Sequence, residues 1–302
     1  MQKVKDYSDT YGSFYPFSVT RDISDIRIGL YTIKERNIHL SAVHDILSFN
    51  QQFLAKDIEG LQTSDSRDTF SELNFIHGSG KFYAHPSTKI SGVHINTGDG
   101  PVYIGANCRI MEGACIRGPV AILDNSVVKM GAKIYGSTTI GRNCVVGGEI
   151  KNSIFFDYSN KAHDGYIGDS VIGSWCNLGA GTSCSNVKNN AGDIKLWNPV
   201  VGNNINAGRK CGIMMGDYTR TAINTSFNSG TVIGVGCNIV KSGFPPKYIP
   251  DFTWDVDTGT LYDLGKLIRD IERWMEMKNE KLQENDKRLL LQHYHNSLNV
   301  NR

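Results

Sequence analysis

His163 is the strongest candidate in the sequence for proton-transfer chemistry. It is the only histidine between residues 95 and 292, and it lies in a polar, irregular stretch, SNKAHDG (159–165). A neutral imidazole can take a proton from a nucleophile at physiological pH, which is the task of a general base. The alternative is a surface histidine that makes a hydrogen bond within a turn. The residues alone leave both interpretations open.

A repeat with a period of six residues precedes this stretch. An aliphatic residue recurs at every sixth position, at Ile104, Ile110, Ile116, Ile122, Val128, Ile134, Ile140 and Val146. A small residue follows four positions after each of the first seven, at Cys108, Ala114, Val120, Ser126, Ala132, Thr138 and Cys144. Two size-restricted positions in every six predict a parallel β-helix, in which each hexapeptide forms one short strand and three form one coil. Strands of a sandwich would lose this phase at irregular turns.

The phase of the repeat slips by two after Val146 and slips again later. The sequence predicts further inward positions at Ile154, Tyr166, Ile172, Leu178 and Cys184, then at Val201, Ala207 and Ile213, and finally at Phe227, Ile233 and Ile239. We expect each slip to mark a coil that bulges outward. Because loops that leave a solenoid usually carry its function, residues 147–165 and 185–199 are the expected functional stretches.

Two flanks enclose the repeat, and they predict the domain boundaries 1–80, 81–245 and 246–302. The first flank has an apolar run, Ile26 to Ile33, and a predicted helix over 41–55. The second follows the prolines at 245, 246 and 250, and a long helix is predicted from about Thr260. Its apolar stripe is expected to pack against the outside of the β-helix or against another subunit.

Composition excludes several classes of partner. The 302 residues carry 32 basic and 30 acidic side chains, which gives no electrostatic case for binding nucleic acid or an anionic membrane. No stretch approaches the ~20 apolar residues of a membrane span, and no apolar signal region follows Met1. The seven cysteines lie between 108 and 237 without a CxxC pair, which is typical of reduced thiols. We therefore expect a cytoplasmic protein.

The segment from Val146 to Asn186 resembles a known family of acetyltransferases. It is similar to the acetyltransferase domain of the bifunctional UDP-N-acetylglucosamine pyrophosphorylase/glucosamine-1-phosphate N-acetyltransferases. The resemblance rests on Glu149, Lys151, Ser159, Lys161, His163, Tyr166–Asp169, Asn177–Thr182 and Asn186, which match without a gap. The whole chain also resembles a bacterial sugar-nucleotidyltransferase-like group, through phrases such as TRDISDIRIGLYTIKER (20–36) and GIMMGDY (212–218).

This resemblance implies a fold and a set of roles. The fold is an all-β solenoid, a left-handed parallel β-helix of hexapeptide repeats, with a small N-terminal α/β remnant and a long C-terminal α-helix. The protein is then a homotrimer that uses acetyl-CoA as co-substrate and needs no metal. The implied roles are general base for His163, substrate binding for Lys133, Lys151, Tyr166 and Asn177, and acetyl-CoA binding for Ala180 and Asn186. Arg209 and Lys210 are candidates for a CoA phosphate, or are only solvated charges. Tyr166 can equally be a packing aromatic.

The sequence departs from the family at some of these positions. Lys133 stands where the family has a phosphate-gripping arginine, and it keeps the charge but lacks the bidentate fork. After Asn186 the chain reads VKNNAG where the family has Tyr-Asp-Gly and a lysine, so Lys188 or Lys195 would have to substitute. These differences leave the acceptor unidentified. Residues 1–80 lack the glycine-rich loop and the large sheet of a nucleotidyltransferase, so we expect a remnant without that activity.

Three classes of function are compared. The first is an acyltransferase that acts on an amino sugar phosphate or a related amine. The second is a non-catalytic trimerisation or regulatory module. The third is a γ-class carbonic anhydrase, which shares the coil but needs three histidines on one metal, whereas the coil body offers His163 with only His85 and His94 at its start. The acyltransferase is the favoured prediction.

Overall fold

The computed structural model describes residues 12–300, and residues 75 to 249 wind into a parallel β-helix with three faces. Face 1 consists of nine strands: Phe82–Ala84, Val102–Ile104, Val120–Ile122, Thr138–Ile140, Ile154–Phe155, Val171–Ile172, Ile213–Met215, Thr231–Ile233 and Tyr248–Ile249. Face 2 consists of eight strands: Lys89–Ile90, Arg109–Ile110, Val127–Val128, Val145–Val146, Asn160–Lys161, Asn177–Leu178, Arg220–Thr221 and Asn238–Ile239.

Face 3 completes each coil. Its first six strands are Phe75–His77, His94–Asn96, Cys115–Arg117, Lys133–Ile134, Glu149–Lys151 and Tyr166–Gly168, and the pair Ser183–Cys184 and Ser226–Phe227 extends it. Each strand pairs in parallel with the strand one coil away, so that Ile134 lies between Ile116 and Ile150. The inward aliphatic residues form one continuous core along the axis. The predicted parallel β-helix is confirmed.

The inward positions after Val146 differ from the prediction. The inward residues are Ile150, Phe155, Lys161 and Ile167, whereas the predicted Ile154 and Tyr166 point outward. The cause is two shortened corners: residues 147–148 connect faces 2 and 3 where residues 129–132 do so one coil earlier, and residues 152–153 connect faces 3 and 1 where residues 135–137 do so. The phase slip after Val146 therefore reflects a tighter coil and not an outward bulge.

The second slip marks a segment that does leave the coil. Strands Lys195–Asn198 and Asn203–Asn206 pair antiparallel as a hairpin on the corner between faces 3 and 1. The prediction of inward positions at Val201 and Ala207 is therefore wrong, because Val201 is 59% exposed at the hairpin turn and Ala207 packs outside the core. Phe227, Ile233 and Ile239 face the core, as predicted.

Residues before the coil cover face 1. The N-terminal segment contains a hairpin of Arg27–Ile28 with Tyr31–Thr32, 3-10 turns at Phe17–Val19, Ile23–Asp25 and Ser71–Leu73, and three helices, α1 (Ile33–Arg36), α2 (Asp45–Gly60) and α3 (Arg67–Phe70). Its buried side chains pack on Ile154, Val171, Met214 and Val232, which explains why face 1 is apolar on both sides. The predicted 41–55 helix begins at Asp45 and continues to Gly60.

The C-terminal flank forms two helices and not the single long helix predicted. Thr260 belongs to a hairpin, Thr253–Asp255 with Thr260–Leu261, and α4 (Leu264–Glu276) begins at Asp263, whose carboxylate accepts a hydrogen bond from the Lys266 amide. The stripe of α4 packs against the corner between faces 1 and 2, as expected. After α4, the Lys278 Nζ donates to the Asn143 carbonyl oxygen and to Asn160 Oδ1, which holds this end of the helix on the solenoid. The second helix, α5 (Glu284–Val300), follows.

Face 3 keeps an open outer surface. The outward side chains of its strands include the exposed Phe75, His94, Cys115 and Lys133. No helix in the described part of the chain is long and apolar enough to cross a membrane.

We predict that Asp217 anchors the N-terminal segment. Its carboxylate accepts hydrogen bonds from Thr20 Oγ1 (2.6 Å) and the Ser174 amide (2.7 Å), and it forms a buried ion pair with Arg21. Asp217→Ala should lower the free energy of unfolding by about 2–4 kcal/mol in urea denaturation, because the largely buried Arg21 guanidinium loses its carboxylate partner. Lys287→Ala, which breaks an exposed ion pair with Glu272, is the control and should cost less than about 1 kcal/mol. Equal losses for the two variants would contradict the anchor.

Candidate functional site

The predicted site residues lie on face 3 and on its two edges. One edge, the His163 edge, is the corner between faces 2 and 3 formed by residues 162–165 and 179–182. It carries His163 and Ala180 in neighbouring coils, because the Gly181 amide donates to the Asp164 carbonyl at 3.0 Å. His163 is exposed to solvent. The fold thus brings His163, the predicted base, and Ala180, a predicted acetyl-CoA contact, into neighbouring coils.

A buried lysine holds the backbone of this edge. Lys161 occupies an inward position beside Val146 and is 0% exposed. Its Nζ donates to the carbonyl oxygens of His163 and Asp164, the second at 2.8 Å. Burial lowers the pKa of Lys161 to about 8, although the nearby Asp164 carboxylate opposes this. The ammonium therefore fixes the loop that presents His163.

The outer surface of face 3 contributes two further predicted residues. Lys133, Glu149 and Tyr166 lie in one row across three coils. The Tyr166 ring lies over Gly168, where a Cβ would collide with the phenol oxygen. Burial, with the charge of Asp169, raises the pKa of Tyr166 to about 12, and Asn186 hydrogen-bonds the hydroxyl. Tyr166 thus reaches from the His163 edge to the opposite edge, as an outward residue and not a core aromatic.

The opposite edge is a cleft of about 690 Å³ between α2 and the corner of faces 3 and 1, which we call the α2 cleft. Its walls are His44, Leu47, Ser48 and Gln51 on the α2 side, and Asp99, Arg117, Gly118, Pro119, Tyr135, Gly136, Ser137, Lys151, Asn152, Asp169, Asn186, Ala207, Lys210 and Cys211 on the coil side. It brings together three predicted residues, Lys151, Asn186 and Lys210. Arg209 is exposed next to them but does not line the cleft.

The floor of the α2 cleft is polar and ordered. Asp169 is 5% exposed, and its carboxylate accepts hydrogen bonds from Asn152 Nδ2 (2.6 Å) and Asn186 Nδ2. Lys151 and Lys210 have no ion-pair partner within residues 12–300, whereas Arg117 lies 3.7 Å from Asp99. The cleft therefore presents positive charge that the chain does not neutralise.

Asn177 is separated from the other predicted residues. It lies on face 2 between Asn160 and Arg220, and the Arg220 guanidinium stacks on Trp274 of α4. Of the two lysines considered as substitutes after Asn186, Lys195 begins the hairpin and Lys188 donates to the Asp193 carbonyl. Neither lines the α2 cleft. Within one chain, Asn177 and these lysines do not join the site on face 3.

Sequence reasoning missed several cleft residues. Arg117 and Tyr135 each follow an inward isoleucine by one position, as Lys151 does, so the six-residue period contained a signal for them. His44 and Gln51 had no such signal, because α2 reaches the cleft only through tertiary packing. No group of three or more His, Cys, Asp or Glu residues that could hold a metal occurs in the described part of the chain.

We predict that the stability of the protein depends on the charge of Lys161. Its pKa of about 8 lies below the value of 10.5 expected in the unfolded chain, so the unfolded state binds more protons and stability rises with pH across this window. Relative to Lys161→Met, the free energy of unfolding of the wild type should gain about 2 kcal/mol between about pH 7.5 and about pH 10. Urea titrations of both proteins measure this difference, and a difference independent of pH would show that the ammonium is not buried.

Comparisons with known proteins show partial similarity. No family model matches the chain. Curated relatives include the bifunctional protein GlmU of Methanocaldococcus jannaschii, 34% identical over 113 residues that make up 37% of this chain and 27% of that protein. Another is the GlmU protein of Thermodesulfovibrio yellowstonii, 29% identical over 161 residues, or 47% of this chain and 33% of that protein.

A third relative is the bifunctional sugar-1-phosphate nucleotidylyltransferase/acetyltransferase of Sulfurisphaera tokodaii, 37% identical over 92 residues, or 30% of this chain and 22% of that protein. Among solved structures, PerB from Caulobacter crescentus in complex with CoA and GDP-perosamine aligns at 15% identity and a TM-score of 0.14, covering 57% of this chain and 52% of that one. The chain thus matches no more than a third of the length of these curated relatives. Over that part it resembles the bifunctional acetyltransferases, as the sequence predicted.

Proposed function

We propose that this protein is a CoA-dependent N-acetyltransferase that acetylates the amine of an amino sugar, with a glucosamine-1-phosphate-like sugar phosphate as acceptor. The observation that carries the proposal is the His163 edge, where an exposed histidine is held beside Ala180 by the buried Lys161. The sequence similarity to bifunctional proteins, one of them named as an acetyltransferase, supports the same chemistry.

The proposed reaction is a direct acyl transfer. The amine nitrogen attacks the thioester carbonyl carbon of acetyl-CoA, a C–N bond forms, and the C–S bond breaks. His163 takes the proton from the nitrogen and returns a proton to the departing CoA thiolate, so no further reactant is needed.

The remaining predicted residues are assigned by their position. Lys133 and Lys151 supply positive charge for the acceptor phosphate from the surface and edge of face 3, and Tyr166 connects the two edges. Ala180 lies next to His163 and is proposed to contact the acetyl end of acetyl-CoA. Arg209, exposed in the turn that follows the hairpin, is proposed to meet a CoA phosphate. Asn177 on face 2 would contact the sugar only across a subunit boundary.

We propose a homotrimer because the site is incomplete in one chain. His163 and the α2 cleft occupy opposite edges of face 3, whose outer surface is open. In a cyclic trimer the contacts are heterologous, so that one edge of a subunit lies beside the opposite edge of the next. This arrangement would bring His163 of one subunit to the α2 cleft of its neighbour.

One observation favours the alternative of a non-catalytic trimerisation module. Within residues 12–300, the His163 imidazole has no hydrogen-bond partner, whereas a catalytic base is normally oriented by a third group. In the proposed trimer the neighbouring subunit would supply that group. Activity of the purified protein decides between the two functions.

We predict that His163→Ala lowers the rate of acetyl transfer to glucosamine-1-phosphate by roughly 10²–10⁴-fold. The mass of the assembly and the affinity for acetyl-CoA should stay unchanged, because proton abstraction contributes only in the transition state. His94→Ala, another exposed histidine on face 3, is the matched control and should keep wild-type activity. Equal rates for His163→Ala and the wild type would remove His163 from the mechanism.

A further inference from the structure

We propose that the α2 cleft binds a phosphorylated sugar and that α2 itself supplies part of the binding surface. The proposal rests on the proposed function for the reaction that this ligand undergoes, but binding can be tested without turnover. It reassigns Asn186 and Lys210, predicted from the sequence as acetyl-CoA contacts, to the acceptor, because they share one cleft with Lys151.

The charge of the cleft indicates an anionic ligand. Arg117, Lys151 and Lys210 approach it from three different segments of the coil. The walls carry two carboxylates, Asp99 and the buried Asp169, against these three cations, so the cleft keeps a net positive charge. A phosphate group placed among these side chains gains charge-assisted hydrogen bonds that the chain alone does not provide.

The polar lining of the cleft indicates a ligand rich in hydroxyl groups. Ser48, Gln51, Ser137 and Asn152 offer hydroxyl and amide groups, and Tyr135 offers an aromatic ring. A wall that mixes hydroxyl and amide groups with an aromatic ring suits a sugar more than a hydrocarbon chain.

Two buried polar atoms in the cleft residues lack partners. In the described part of the chain, His44 Nδ1 and Asn152 Oδ1 have no hydrogen-bond partner. Buried polar atoms are rarely left unpaired, because each costs about 1–3 kcal/mol. His44 and Asn152 line opposite sides of the cleft. A ligand with several hydroxyl groups would lie between these two residues.

The roof of the cleft is fixed without a ligand. Asn50 of α2 is 0% exposed; its Nδ2 donates to the Ser137 carbonyl (2.8 Å), and its Oδ1 accepts from the Gly29 amide (2.7 Å) and Thr139 Oγ1 (2.9 Å). These bonds tie α2 to the coil one residue from Gln51. Binding then requires little ordering of the protein, which preserves affinity. The N-terminal segment is in this way part of the site and not only a cover for face 1.

Calorimetric titration of the full chain tests the proposal, with glucosamine-1-phosphate, UDP-glucose, inorganic phosphate, free glucosamine and coenzyme A as separate probes. We expect a saturable signal with glucosamine-1-phosphate or UDP-glucose, and the stronger of the two identifies the source of the phosphate. Arg117→Gln and Gln51→Trp should weaken that binding on the order of 10- to 100-fold, by removing a charge-assisted bond and by filling the cleft.

Matched controls come from the same chain. Arg109→Gln removes an exposed arginine from face 2, and Gln52→Trp adds the same bulk one position from Gln51 but outside the cleft. Both should bind like the wild type. Circular dichroism and melting temperature establish that all four variants are folded.

The outcomes separate this inference from the proposed function. Binding of a phosphorylated sugar that the cleft variants weaken, without any acetyl transfer, would support the inference and refute the proposed acetyltransferase function. The inference is overturned if neither phosphorylated sugar binds, if Gln51→Trp and Gln52→Trp bind alike, or if inorganic phosphate binds as tightly as the sugar phosphate. It is also overturned if coenzyme A is the probe whose binding Gln51→Trp abolishes.

Discussion

The parallel, in-register stacking of the coils is the constraint on which the rest of the structure depends. Each residue lies directly over a counterpart one coil away, as Ile134 does over Ile116 and under Ile150. Inward and outward positions therefore form columns, and the number of residues in each corner decides which column the next residue joins. The shortened corners at Gly147–Gly148 and Asn152–Ser153 shift the chain so that Lys161 becomes inward and Tyr166 outward. Gly148 has φ +70°, and a Cβ there would lie 2.6 Å from the Gly165 carbonyl oxygen.

The three faces of the stacked coils have different surroundings. Face 1 is buried under the N-terminal segment, and the upper part of face 2 contacts the C-terminal helices. Face 3 keeps an open surface of charged and polar side chains between two edges that carry candidate chemistry. A buried cation holds the His163 edge, and a buried amide, Asn50, holds the roof of the α2 cleft. In both cases a buried polar group makes its hydrogen bonds inside apolar packing, where water does not compete for them.

The sequence predicted the β-helix because each six-residue repeat forms one strand, and three repeats form one coil. It also predicted Lys151, Asn186 and Lys210, which the structure brings into one cleft. The inward positions predicted for Tyr166, Ile154 and Val201 were wrong, because residue types do not show how many residues a corner needs. The contribution of His44 and Gln51 could not be predicted, since it depends on how α2 docks on face 1. Asn177 shows the same limit, because its place on face 2, apart from the other predicted residues, follows from the number of residues in each corner.

The central claim is that one functional site combines the His163 edge of one subunit with the α2 cleft of its neighbour. Co-expression of His163→Ala and Lys151→Ala chains, each inactive alone, tests this claim through the activity of the mixed assemblies. If each site draws on two neighbouring subunits, random mixing should restore about one quarter of wild-type activity in a particle with the mass of a trimer. Mixed assemblies no more active than either variant, or a monomer in light scattering, would contradict it.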